Sequence, residues 1–100
     1  MAFRSEALNV TGHEARDENG VKLGTVTDVL FDNDGTPRWA VVDPGLLHRP
    51  HYAPLDGAYQ TDEGNVVLAV DNATVKHAPS APRDHVLTPE VEARLVEHYS

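Results

Sequence analysis

The chain has no cysteine, a single tryptophan, and only eight lysines and arginines against sixteen aspartates and glutamates in 100 residues. Without cysteine, disulfide bridges and thiolate metal sites are excluded, which fits a reducing compartment. The shortage of basic charge leaves a net −8 at pH 7. The bases, from Arg4 through Arg94, are scattered and form no stripe. Affinity for nucleic acid comes from neutralising phosphates, so no direct contact with DNA or RNA is expected. No apolar run approaches the roughly 20 residues that span a bilayer, and the opening MAFRSEALNV lacks the apolar core of a signal peptide. These absences predict a cytoplasmic protein. Catalytic signatures are missing too: no Gly-x-Ser-x-Gly, no phosphate-binding loop, no dinucleotide fingerprint. Ser5, Ser80 and Ser100 fall in expected arms or connectors. Neither enzymatic activity nor a cofactor is expected.

What is present is a run of short apolar stretches separated by turn residues, the pattern of a small β barrel or sandwich. One hundred residues make about one domain, and a chain this short buries roughly 60–68% of its unfolded surface, so its core is thin. The organising stretch is Lys22 to Pro54. Before it, Val10–Arg16 reads as a strand leading into Asn19-Gly20, a strong hairpin signal because both residues tolerate positive φ. Lys22–Asp32 reads as a long second strand whose apolar residues break parity: Leu23, Val29 and Phe31 on one face, Val26 and Leu30 on the other. A bulge near Gly24 or Asp28 explains this; so does a strand covered on both faces. Arg38–Asp43 is apolar on both sides and is expected to be central. His51–Leu55 follows, and Pro54 confines it to an edge or an end. Ala58–Thr61 and Asn65–Val70 are the last strands, and Asp71–Lys76 suits one helical turn.

A helix is predicted over Pro89–His98. Thr88 is placed to cap it, Pro89 suits its first position, and Val91, Leu95 and Tyr99 make one apolar stripe. The organisation expected is a flexible arm over 1–9, a barrel over 10–78, and a connector with the helix over 79–100. The helix packs either on its own barrel or on a neighbour's.

Taken in order, the motifs resemble the PRC-barrel family, named for the cytoplasmic domain of the photosynthetic reaction-centre H subunit. The likeness runs from Val10 to Ser100. It is carried by Gly12, Asn19-Gly20, Leu23-Gly24-Thr25-Val26, Asp28–Asp32, Gly35, Arg38–Val42 and Pro44-Gly45-Leu46. It continues through Pro54-Leu55-Asp56-Gly57-Ala58, Val75–Pro79, and Leu87-Thr88-Pro89-Glu90 with Leu95 and His98-Tyr99, a tail similar to those of short stand-alone bacterial members. His51-Tyr52-Ala53 and the His48-Arg49-Pro50 loop depart from the family pattern. The resemblance implies a compact, antiparallel β-barrel of about six strands with a C-terminal helix, and a role as an adaptor. Relatives include a ribosome maturation factor domain that binds a small-subunit ribosomal protein, and archaeal cell-division proteins.

His48-x-x-His51 with Asp43 or Asp56 has the donor types for zinc. On a loop and strand start, however, i and i+3 do not share a face, so solvated histidines are the expected reading and no metal is assigned. A pH-responsive surface is a second reading of the six histidines. Asp32 and Asp34 fit turn chemistry better than a calcium loop. Trp39 either fills the core or anchors a partner; Leu46-Leu47 either tuck over the barrel end or form an interface. The candidate interaction surface is Val29, Phe31, Trp39, Leu46, Leu47, His48, Arg49 and His51. The partner expected is another protein, with self-association as a homodimer covering exposed strand edges. A ribosome-associated accessory factor binding a basic ribosomal protein is the alternative, followed by a barrel responsive to a small ligand or metal.

Overall fold

The structure is a computed structural model and describes residues 10–45, 48–81 and 86–100. The expected N-terminal arm, Leu46 and Leu47, and part of the connector before the last helix lie outside the described residues. Eight elements follow in chain order: β1 (Glu14–Arg16), β2 (Lys22–Phe31), β3 (Pro37–Asp43), β4 (His51–Pro54), β5 (Tyr59–Gln60), β6 (Val66–Val67), α1 (Asn72–Lys76) and α2 (Pro89–Tyr99).

Hairpin turns build the centre of the sheet. Gly20 takes φ +84°, the left-handed conformation that L side chains resist, and its N–H donates to the Asp17 carbonyl. The Asp32 carboxylate accepts from the N–H groups of Asp34 and Thr36, at 2.9 and 3.0 Å, and so fixes the β2–β3 turn. β3 is central as expected, with Trp39, Ala40, Val41 and Val42 all buried. Pro54 ends β4, an edge strand where its missing N–H costs no ladder bond.

The sheet corrects two expectations. Its strand order is β4-β3-β2-β1-β6-β5, and β1 pairs with β6 in parallel, Ala15 opposite Val66 and Arg16 opposite Val67. The sheet is therefore mixed, whereas a mostly antiparallel barrel was predicted. Among the described residues no ladder joins β4 to β5, so the expected closure into a barrel is not seen. The free edge of β4 is taken instead by the segment after α1. Ser80 bridges His51, and the Ala81 N–H donates to the Pro50 carbonyl at 2.8 Å. The Val10–Arg16 strand is also shorter than predicted, since Val10 and His13 close a turn before β1 begins.

Two apolar clusters lie on opposite sides of the sheet. One gathers Ala15, Val26, Ala40, Val42, Ala53 and Val66, from both halves of the strand order, so the sheet curls around it. The other joins Trp39, Val41 and Tyr52 to Ala78, Ala81 and Leu95, beneath α2. Both explanations for the broken parity of β2 hold: a register shift falls between Val26 and Asp28, and Leu23, Val26 and Val29 face one cluster while Leu30 packs against the other.

Candidate functional site

α2 is fastened to its own chain at both ends. Thr88 accepts from the Val91 N–H and Pro89 opens the first turn. From that turn Glu92 reaches β3, where one carboxylate oxygen accepts from Trp39 Nε1 at 2.9 Å and Arg38 Nε at 3.0 Å. The Arg38 guanidinium also lies 5.5 Å from the centroid of the Trp39 ring. At the far end, Tyr99 OH donates to the Tyr52 carbonyl at 2.6 Å, and burial pushes the Tyr99 phenol well above its ordinary pKa. Leu95, fully buried, fills the space between.

Asp17 is the one buried charged residue among those described. One carboxylate oxygen accepts from the Asn19 and Val21 N–H groups, at 2.9 and 2.7 Å, and the other from the Asn72 N–H at 2.9 Å. It therefore ties the β1–β2 turn to the start of α1. The Asp71 carboxyl caps α1, and hydrogen bonds from the Thr74 hydroxyl and N–H hold its pKa below the usual carboxylate value. From the sequence Asp17 reads as a turn residue. Its bond to Asn72 is long-range and has no local signature.

The candidate surface residues do not gather in one place. Val29 belongs to the inner cluster, and Trp39 lies beneath α2, 3% exposed. Phe31 is exposed at the end of β2. It borders a groove of about 430 Å³ together with Trp39, Leu30, Asp32, Arg38, Leu87 and Glu92, so two of the candidate residues meet there. His48, Arg49 and His51 lie apart from it, toward the Lys22 end of β2, with His51 level with Val42 and Val26 across the sheet. There they border a second cavity with Lys22 and Lys76. The distant partners, Leu87 for the groove and Lys76 for the cavity, are invisible to local pattern because tertiary folding alone brings them in.

The histidines are largely committed to backbone. His51 Nδ1 donates to the Ala78 carbonyl at 3.0 Å, His77 Nδ1 to Ala73 at 2.8 Å, and His98 Nε2 to Thr74 at 2.7 Å. Among the described residues no three His, Asp or Glu side chains converge as a metal site. No helix among them is long and apolar enough to cross a membrane.

None of the curated proteins compared with the chain matches it. The family model of the PRC-barrel domain matches residues 6–75, which takes in all six strands and most of α1 and stops before α2. With that match spanning well over half its length, the chain belongs to the PRC-barrel domain family.

Proposed function

We propose that this PRC-barrel domain is a non-enzymatic interaction module of the cytoplasm that acts by binding protein, including a second copy of itself. The observation that carries the reading is Phe31. It terminates a strand whose other large apolar residues are buried or half-buried, yet it is 45% exposed. It stands over a groove floored by Leu30 and Leu87. A two-fold interface requires a patch complementary to itself. This groove supports one, lined by Leu30, Phe31, Trp39 and Leu87 beside both signs of charge, Asp32, Glu92 and Arg38. The cysteine-free, acidic composition supports a reducing, soluble setting.

Sedimentation velocity across a wide concentration range tests the reading. A reversible dimer is expected, weakened about tenfold or more by Phe31→Ser, because an apolar contact is lost on both copies. A monomer at every concentration removes self-association. A dimer untouched by Phe31→Ser removes this surface. Leu46→Ser with Leu47→Ser tests the loop surface separately, and unchanged partner binding eliminates it.

A further inference from the structure

At the Lys22 end of β2 the start of that strand, the end of β3, the start of β4 and α1 enclose a cavity of about 440 Å³, open to solvent on one side. Its floor is apolar: Leu23, Val42 and Val75, all buried members of the inner cluster. Its margin is cationic. In a chain of net charge −8, with eight lysines and arginines in all, three of them (Lys22, Arg49 and Lys76) line this one cavity, and among the described residues no carboxylate does. Lys22 Nζ lies 3.8 Å from Glu14, a loose pair at an exposed position. Among the described residues no ion pair engages Arg49 or Lys76. Lys76 also sits in the last turn of α1, where the helix end favours a cation, but among the described residues nothing of opposite charge offsets Arg49 beside it. The same arrangement complements a ligand with a charged head and an apolar body.

We propose that this cavity is a binding site for a small amphipathic organic anion, a phosphate monoester or carboxylate carrying an apolar tail or ring. Arg49 and Lys76 hold the anionic group, and Leu23, Val42 and Val75 receive the apolar part. The volume suits a small ligand; sites of this kind run from roughly 300 to 1,000 Å³. The site lies at the opposite end of β2 from Phe31 and does not depend on the interaction groove, so Phe31→Ser leaves it intact.

The test is titration of the full chain with octyl phosphate, followed by calorimetry and by backbone amide shifts in NMR spectra. One saturable site is expected, with a dissociation constant on the order of 10–100 μM. The shifts should centre on Leu23, His51, Val75 and Lys76. The doubly neutralised variant Arg49→Gln with Lys76→Gln should bind about tenfold or more weakly, since both charge-assisted contacts are lost. Octyl glucoside has the tail without the charge, and inorganic phosphate the charge without the tail; each should bind at least about tenfold more weakly than octyl phosphate. Arg94→Gln, which removes one positive charge outside the cavity, should leave binding unchanged. The proposal is overturned by absence of saturable binding at about 1 mM, by binding that survives the double substitution, or by an equal loss in Arg94→Gln. Phosphatidylcholine vesicles with and without phosphatidic acid distinguish the ligand's source. Co-sedimentation only with phosphatidic acid marks a membrane-borne head group, and octyl phosphate binding without co-sedimentation marks a soluble ester. Either outcome upholds the site.

Discussion

Substituting Asp17 tests the account of how the two halves of this domain are joined. Its carboxylate is 1% exposed and accepts three backbone N–H bonds, two from the β1–β2 turn and one from the start of α1. A hydrogen bond to a charged group contributes about 1.5–3 kcal/mol, and the three share one carboxylate, so their effects do not simply add. Asp17→Ala strands three donors and removes the link to Asn72; a loss of about 3–5 kcal/mol is expected. That approaches the whole stability of a domain this size, which can be as low as about 5 kcal/mol. Asp17→Asn retains the shape. Its carbonyl oxygen can keep the Asn19 and Val21 bonds, but its amide then meets the Asn72 N–H donor to donor, at an expected cost of about 1.5–3 kcal/mol. Urea denaturation at neutral pH should therefore rank the proteins wild type, Asp17→Asn, Asp17→Ala, with a common slope. Hydrogen exchange should show the Asn72 amide opening in Asp17→Asn while Val21 stays protected. If Asp17→Ala does not fold, the asparagine variant still decides the matter. An Asp17→Asn midpoint coinciding with wild type would refute the role assigned to the clasp.

Leu95→Ala should destabilise by about 3 kcal/mol, because Leu95 is fully buried between α2 and the outer face of β3 and β4. A loss below about 1 kcal/mol in urea denaturation would mean that the helix does not rest on this sheet in solution. Gly24→Ala should cost about 3 kcal/mol, since a Cβ there would lie 2.2 Å from the Asp43 carbonyl oxygen at φ +148°; a near-neutral melt would contradict that approach. Tyr99→Phe should lose about 1 kcal/mol at neutral pH with the bond to Tyr52. It should also change the alkaline limb. The folded phenol stays protonated above the ordinary tyrosine pKa of about 10, where the unfolded chain ionises, so stability is full below that pH and falls as pH rises beyond it. Thermal melts from neutral to strongly alkaline pH should show part of that fall missing in Tyr99→Phe, and identical slopes would refute the assignment.

The features legible in the sequence were those written locally. The α2 cap at Thr88 with Pro89, the turns at Gly20 and Gly35, the two-sided burial of β3 and the edge placement of Pro54 each follow from a few neighbouring residues. The parallel pairing of β1 with β6 had no such signature, because strands of three and two residues carry too little pattern to state a direction. The functional residues divide along the same line. Phe31 and the His48–His51 segment could be picked out as chemistry, but their separation along the sheet depends on the register between β2, β3 and β4. Asp17 and Lys76 acquire their roles only through contacts with residues far away in the chain.

The parallel seam between β1 and β6 also bears on how the chain finds and keeps this fold. β2, β3 and β4 form a meander of short loops that can assemble from local contacts, whereas Ala15 and Val66 are separated by about fifty residues whose ends must be brought together before their pairing yields anything. The seam is thus expected to close late in folding. Weakening it at Val66 should leave the rate of assembly nearly unchanged and shorten the lifetime of the assembled state, which stopped-flow folding and unfolding rates would show. Two of the three shortest strands, of three and two residues, act as its latch.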